Sequence, residues 1–190
     1  TVIGAGVAST QSIIKAMDNN ALVKVVDSSQ VKLDDLESKY GSDNIEYILS
    51  TNDSIQSSIN ESDLVIGSVY VVGKEAPKVV SRNMLSSMSP GTVMVDVSID
   101  QGGCFETSKP TTHDNPTFLE NDIVHYCVTN MPGAVPLTAT EALNKVTLSY
   151  IKDLANKGIM KALEEDEHLK NGLNIQNGLI THSGVKEALG

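Results

Sequence analysis

The chain has 190 residues, enough for one domain or for one domain and part of another, and 40% of them are hydrophobic. Its net charge is −10 and Arg82 is its single arginine, which disfavours nucleic acid and acidic membrane surfaces as partners because both attract clustered cations. No apolar run reaches the roughly 18–20 residues that cross a bilayer, and the first residues do not resemble a signal peptide. Cys104 and Cys127 lack the spacing of metal ligands, so two free thiols and a reducing, cytoplasmic location are expected.

The first two thirds of the chain alternate between predicted strands and helices. Strands are predicted at Val2–Ile3, Ala21–Asp27, Asn44–Leu49, Asp63–Gly67, Thr92–Val97 and Ile123–Val128. Helices are predicted at Val7–Met17, at Lys32–Tyr40 after a cap at Ser28 or Ser29, at Ser54–Ile59 and at Ser81–Met88. Several strands are runs of Val, Ile and Leu, as in sheets covered on both faces. The alternation predicts an α/β fold, a Rossmann-type doubly wound parallel sheet of six strands.

The pattern changes in the tail that follows Pro136. The tail is predicted to contain a helix at Thr138–Asn156 capped by Thr138, a helix at Met160–Leu169, a hairpin within Leu173–Thr181 and a final helix from about Val185. The hairpin depends on Asn177-Gly178, a dipeptide that favours two-residue turns. We therefore predict a Rossmann domain over 1–137 and, over 138–190, a connecting helix and part of a second domain.

The opening residues TVIGAGVAST carry a glycine turn between the first strand and the first helix. Gly4 suits the tight turn and Gly6 the close approach of backbone to a pyrophosphate, while Ser9 replaces the third glycine of G-x-G-x-x-G. Because the third position serves helix–strand packing, we expect Ser9 to widen that packing slightly and to preserve the site. Asp27 ends the second strand, at about the spacing of an acid that binds ribose hydroxyls and repels a 2′-phosphate. The pattern favours NAD over NADP; a glycine turn without a ligand and a solvated Asp27 are the alternatives.

Three further stretches are more specific than a glycine turn: DLVIGSVYVVGKEAPKVVS (63–81), VMVDVSIDQGGCFETSKPTTHDNPTF (93–118) and HYCVTNMPGAVPLTAT (125–140). Together with the turn and the tail, they closely resemble the alanine dehydrogenase family. The resemblance implies NAD-dependent oxidative deamination of L-alanine to pyruvate and ammonium, with this chain as the cofactor-binding portion. The NAD(H)-binding domain of nicotinamide nucleotide transhydrogenases shares the glycine turn and is the alternative, and a remnant that binds nothing is a third hypothesis.

The resemblance also implies a set of cofactor-binding residues at the strand ends. They are Gly4, Ala5, Gly6, Val7, Ala8, Asp27, Lys32, Ser50, Val69, Tyr70, Val97, Ser98, Ile99, Asp100, Val128, Thr129, Asn130 and Met131. Asp100 is in addition the implied catalytic residue, acting with a histidine on protons at the substrate. The local sequence alone leaves Asp100 open between a loop cap and a functional acid. No metal is implied.

Other polar residues are expected to have structural roles or to be solvated. Asp96 interrupts an apolar strand and is expected to be a hydrogen-bonded structural carboxylate. The four histidines, His113, His125, His168 and His182, are expected to be structural or solvated, and Arg82 is expected to be a solvated charge.

The resemblance finally implies functional residues that lie outside these 190. In the family, a catalytic lysine, a catalytic histidine and a carboxylate-binding arginine lie N-terminal to the glycine turn, so we expect the chain to be part of a longer one. Residues 157–190 are then expected to pack against that missing substrate-binding part. The family typically forms homo-oligomers, often hexamers, and the same is expected of the intact protein.

Overall fold

A computed structural model describes residues 1–189. They form two compact units, one made of Thr1–Val71 with Glu75–Thr129 and the other of Val72–Lys74 with the chain from Asn130 onward. The first unit contains a seven-stranded sheet. The domain boundary between residues 137 and 138 stays a prediction.

The sheet of the first unit is mainly parallel. Its strands are β1 (Val2–Ile3), β2 (Val23–Asp27), β3 (Ile45–Leu49), β4 (Leu64–Gly67), β5 (Val93–Asp96), β6 (Thr117–Glu120) and β7 (Ile123–Tyr126). Their order is β3-β2-β1-β4-β5-β7-β6, and every neighbouring pair is parallel except β6 and β7. The chain builds outward from β1 to β3 and then returns to the other side of β1 with β4. This reversal is the switch point of a doubly wound sheet, so the predicted fold class is confirmed.

The prediction of six strands is wrong, because it omits β6. This strand pairs antiparallel with β7 at the edge of the sheet, with Phe118 opposite His125. Asn121 and Asp122 connect the two strands at φ +51° and +60°, left-handed values that these two residue types tolerate best after glycine. The turn therefore lacks the glycine that usually marks a hairpin in a sequence.

Three helices flank the parallel strands: α1 (Val7–Asp18), α2 (Gln30–Tyr40) and α3 (Asn52–Asn60). The Ser29 side chain caps α2 by accepting from the Lys32 N–H. Thr51 and Ser54 form a capping box at α3, in which each N–H donates to the other side chain, at 2.8 and 3.0 Å. These caps fix where the first turns of both helices begin, next to the ends of β2 and β3.

The helix predicted at Ser81–Met88 is confirmed, and it is a 3-10 helix at Arg82–Ser87. Ser86 and Ser87 donate their hydroxyls to the carbonyls of Asn83 and Met84, three residues earlier. Such local side-chain bonds compete with the α-helical pattern.

The core has two parts, one on each face of the sheet. Val2 of β1 and Val25 of β2 belong to one hydrophobic cluster. Ile3 of β1 and Val26 of β2 belong to the other. This division follows from the alternation of side chains along a strand. The two clusters hold the parallel strands from both sides and so fix the positions of their carboxyl ends.

The second unit is helical with a small hairpin. It contains a 3-10 helix (Met131–Ala134), α4 (Pro136–Lys157), α5 (Ile159–Glu165), α6 (Glu167–Asn171), β8 (Ile175–Gln176), β9 (Leu179–Ile180) and α7 (Ser183–Leu189). Asn177 and Gly178 have φ of +51° and +80° between the antiparallel β8 and β9, which confirms the predicted hairpin. Within residues 1–189, no helix has both the length and the apolar character needed to cross a bilayer.

Two details of the predicted tail are wrong. The single helix at Met160–Leu169 is broken at Asp166, which ends α5 and caps α6 by accepting from the Leu169 N–H at 3.0 Å. Thr138 does not cap the long helix, because α4 begins at Pro136. Proline is well suited to the first helical turn because it lacks the N–H that would go unpaired there.

His125 on β7 is wholly buried, and its ring is fully used by protein groups. Its Nε2 lies 2.8 Å from the Thr107 hydroxyl and its Nδ1 lies 3.2 Å from the Ile123 carbonyl. The ring also stacks on Phe118, with 4.9 Å between centroids. The expected structural role is confirmed.

Acidification should destabilise the first unit through His125. Burial lowers the pKa of this histidine below its ordinary value of 6.5, so the unfolded chain takes up the proton first as the pH falls. The stability due to neutral His125 is present above pH 6.5 and is lost as the pH falls towards the lowered pKa of the folded state. Urea midpoints measured between about pH 8 and pH 5 should therefore fall more steeply for the natural chain than for His125→Gln. Equal slopes for the two proteins would contradict this account.

Candidate functional site

A cleft of about 800 Å³ lies at the carboxyl ends of the parallel strands in the first unit. It is lined by Ile3, Gly4, Ala5, Gly6, Val7, Ala8, Val26, Asp27, Ser28, Lys32, Ser50, Ser68, Val69, Tyr70, Val71, Pro77, Val79, Val97, Ser98, Asp100 and Gln101. β1 and β4 end at this cleft, and they flank the switch point of the sheet. Open α/β sheets bind their ligands at such a place, and the volume is typical of small-molecule sites.

The turn after β1 is shaped by the close approach of Gly4 to the end of β4. Gly4 has φ +108°, and a Cβ at this position would lie 2.6 Å from the Ser68 carbonyl oxygen. The Gly4 N–H donates to the Val26 carbonyl at 2.8 Å. The turn is thus fixed between the two strands that neighbour β1, and only glycine fits at residue 4.

Gly6 begins α1 with an N-terminus that faces the cleft. Its φ is −87°, and a Cβ there would meet no atom within 4 Å. Among residues 1–189, no side chain caps this end of α1, and Gly6, Val7 and Ala8 all line the cleft. The first N–H groups of the helix are therefore available to an anion, which the helix dipole also favours.

Asp27 links the end of β2 to the glycine turn. Its Oδ2 accepts from the Ala5 N–H at 2.7 Å, and its Oδ1 accepts from the Ser29 N–H at 2.8 Å. A carboxylate has about four acceptor positions, so two bonds leave it able to accept from hydroxyl groups in the cleft. Asp27 is therefore held by the turn and is not the freely solvated strand end that the sequence left open.

Ser9 is wholly buried against the end of β4. Its hydroxyl donates to the Ser68 hydroxyl at 3.0 Å. A third glycine would have left Ser68 without this partner. The serine at the third fingerprint position thus stays packed in the interior and adds a hydrogen bond between α1 and the residue that follows β4.

The segment after β5 brings a second group of polar residues to the cleft. Ser98 is buried and its hydroxyl donates to the Val69 carbonyl at 2.8 Å, which ties together the segments that follow β4 and β5. Asp100 lies on a short 3-10 helix, Ile99–Gln101, and is exposed at the cleft. The acid is therefore at the surface of the cleft, where a ligand can reach it.

Asp96, at the end of β5, does not reach the cleft and is wholly buried. Its carboxylate accepts from the N–H groups of Ser98, Cys104 and Phe105, at 3.0, 2.8 and 3.3 Å, and from the Ser108 hydroxyl. The expected structural role of Asp96 is confirmed.

Both cysteines are free, as the sequence predicts, and both are buried. Burial next to Asp96 raises the pKa of Cys104 far above its ordinary value, and burial raises the pKa of Cys127. Both side chains are therefore neutral thiols at neutral pH and are poor nucleophiles. Arg82 is exposed, as expected of a solvated charge, and it also pairs with Glu120.

Most of the predicted cofactor-binding residues line the cleft. Ile99 and Val128 are buried in the protein instead, and Thr129 is outside the lining. Asn130 and Met131 belong to the second unit, and their role stays a prediction. The sequence interpretation missed Ser68 and Gln101, although Ser68 directly follows β4 and could have been found by taking every strand end. Pro77 and Val79 carry no such signal, because they come from an irregular segment.

A doubly wound sheet with a glycine turn, an uncapped helix N-terminus and an acid at the end of β2 is the architecture of Rossmann-type domains. Residues 1–183 match the family described as "Alanine dehydrogenase/PNT, C-terminal domain", and the chain belongs to that family. It is 49% identical over 190 residues to an alanine dehydrogenase of Halomonas elongata and 44% identical over 191 residues to one of Staphylococcus haemolyticus. Each match covers 100% of this chain and 51% of the relative, so the chain spans about half the length of these relatives.

Solved structures give the same result. An L-alanine dehydrogenase structure superposes with a TM-score of 0.86 at 44% identity, covering 98% of this chain and 51% of the other. A transhydrogenase from Sinorhizobium meliloti superposes with a TM-score of 0.74 at 22% identity, covering 96% and 48%. The second similarity shows a shared fold only.

Substitutions at the two glycines of the turn should differ strongly in their effect on stability. Gly4→Ala should lower the free energy of unfolding by at least about 1–3 kcal/mol, because a side chain is strained at this φ and its Cβ would also clash with the Ser68 carbonyl. Gly6→Ala should change the free energy of unfolding by less than about 1 kcal/mol, since the added methyl group enters open space at an ordinary φ. Urea unfolding of the two variants tests this, and equal losses would show that the geometry of the turn is misassigned.

Proposed function

We propose that this chain is the NAD-binding half of an enzyme that oxidatively deaminates L-alanine to pyruvate and ammonium. The observation that supports this most strongly is the connection of Asp27 to the Ala5 N–H, because it joins a ribose-binding acid to a phosphate-binding turn in one cleft. Membership of the alanine dehydrogenase/PNT family supports the choice of reaction.

The residues of the cleft fit a dinucleotide. The uncapped N-terminus of α1 suits the pyrophosphate, and the free acceptor positions of Asp27 suit the adenosine ribose hydroxyls. Lys32 and Ser50 lie on the same side of the cleft as Asp27, after β2 and β3, where the adenine end would bind. Val97, Ser98 and Asp100 follow β5, on the other side of β1, where the nicotinamide end would bind.

A bound NAD would supply the hydride acceptor for oxidation of the amino-acid α-carbon. The residues of this chain position the cofactor and supply a group that handles a proton. The first turn of α1 and Asp27 would hold the cofactor, while Val69 and Val97 add apolar side chains to the wall of the cleft. Among the described residues, Asp100 is the one carboxylate that follows β5 and lines the cleft. We assign it a role in transferring the substrate proton.

The substrate-side groups of the reaction are proposed to lie outside residues 1–190. Amino-acid oxidation needs a base and a cation for the substrate carboxylate, and family members supply them as a lysine, a histidine and an arginine. We also propose a cytoplasmic location, a homo-oligomeric state that is hexameric in the intact protein, and no nucleic-acid partner. The net charge of −10 supports the last of these.

The alternative, a transhydrogenase-like NAD(H)-binding domain, has weaker support. The transhydrogenase structure is 22% identical to this chain, whereas the compared alanine dehydrogenases are 44–49% identical. A shared fold does not specify a shared reaction.

The cofactor preference tests the role proposed for Asp27. Calorimetry should show tighter binding of NADH than of NADPH, because the Asp27 carboxylate repels a 2′-phosphate. Asp27→Asn should lower the ratio of the NADPH Kd to the NADH Kd about tenfold or more, because it removes that repulsion and keeps one acceptor oxygen. Asp43→Asn, an exposed acid outside the cleft, is the matched control and should leave the ratio unchanged. Tighter binding of NADPH by the natural protein would refute the assignment.

The role of Asp100 is tested by Asp100→Asn in the full-length gene product. Removing a group that handles the substrate proton should lower kcat for L-alanine about 100-fold or more. The Kd for NADH should change far less, since the glycine turn and Asp27 are intact. Asp35→Asn, an exposed acid on α2, controls for the loss of one charge. A kcat near that of the natural protein would remove Asp100 from the mechanism.

A further inference from the structure

Asp96 is unusual because all of its hydrogen bonds go to a single loop. Its Oδ1 accepts from the Ser98 N–H at one end of this loop and contacts the Cys104 thiol at 3.5 Å. Its Oδ2 accepts from the Cys104 and Phe105 N–H groups and from the Ser108 hydroxyl at the other end. One buried carboxylate therefore joins the start and the end of the segment 98–108.

The part of the loop between these two ends contains Asp100. Residues 99–103 span the gap between the anchored positions 98 and 104, and Asp100 and Gln101 reach the cleft from there. The neighbouring segment holds the loop from a second side. The Ala76 N–H donates to the Gln101 carbonyl at 2.8 Å, and the Lys78 ammonium donates to the carbonyls of Gly102 and Gly103.

Burial makes Asp96 well suited to this task. A buried carboxylate that lost its donors would carry a large desolvation cost, so the loop cannot leave Asp96 without a penalty. Charge-assisted hydrogen bonds of this kind are about twice as strong as neutral ones. The Lys78 contacts are at an exposed residue and are more easily replaced by water.

We propose that Asp96 is a positioning residue for the reaction, which holds Ser98 and Asp100 at the nicotinamide end of the cleft. The inference rests on the proposed function, and it adds that the buried carboxylate acts through the loop and never touches substrate or cofactor. Loosening the loop should then weaken binding at the nicotinamide end of the cleft. Binding at the adenosine end should be unaffected, because the turn at Gly4–Ala8 and Asp27 follow or end other strands.

Two variants of the full-length gene product test the proposal. Ser108→Ala removes one donor from Asp96, and Asp96→Asn places an amide where the carboxylate accepts from backbone N–H groups. Ser86→Ala is the matched control, because its exposed hydroxyl bonds only locally, to the Asn83 carbonyl, away from the cleft. For each protein, kcat for L-alanine and the Kd values of NADH and ADP-ribose are measured at a temperature well below its unfolding midpoint.

Ser108→Ala should lower kcat about tenfold and Asp96→Asn about 100-fold, as expected when a reacting group is misplaced by about 1 Å. The Kd for NADH should rise in both variants, while the Kd for ADP-ribose stays within about twofold of the natural value. If Asp96→Asn does not fold, the kcat and Kd values of Ser108→Ala alone test the proposal.

Equal weakening of NADH and ADP-ribose binding would overturn the proposal, because it would indicate a general structural effect. Unchanged kcat and unchanged NADH binding in Ser108→Ala would also overturn it. Failure of the natural protein to bind either ligand is a different result, since it would refute the proposed function itself.

Discussion

The contact between Gly4 and the Ser68 carbonyl is the constraint on which the site depends. It lets the chain turn out of β1 directly against the end of β4, at the point where the sheet reverses its order. The same turn aims the N-terminus of α1 into the cleft and brings the Ala5 N–H to Asp27. A side chain at residue 4 would separate β1 from β4 and displace all three features together.

Three aspartates end or follow β2 and β5, and they differ in their surroundings. Asp96 is wholly buried and surrounded by donors, so it serves the structure of its loop. Asp27 is partly buried and makes two bonds, which leaves acceptor positions towards the cleft. Asp100 is exposed at the cleft, where a ligand can reach it. The difference lies in burial and in the number of donors, because the side chains are chemically the same.

The sequence predicted the parts of the fold that depend on local pattern. The apolar run of β2 and the glycine turn can be recognised from the sequence, because strand propensity and backbone freedom are properties of the residues themselves. The edge strand β6 was missed because Asn121 and Asp122 make its turn without glycine, and the break at Asp166 was missed because capping interrupts an otherwise helical pattern. Asp100 could be singled out only through the family resemblance, and the loop bonds of Asp96 depend on contacts between residues up to 12 positions apart in the chain.

We propose that the cleft at the ends of β1, β2, β4 and β5 binds NAD with the pyrophosphate on the glycine turn. Amide hydrogen exchange of the full-length gene product, followed with and without NADH, tests it most directly. We predict slower exchange at Gly4–Ala8 and at Val97–Asp100 when NADH is present, and at Gly4–Ala8 alone with ADP-ribose. Saturating NADH that leaves the exchange of Gly4–Ala8 unchanged would contradict the account.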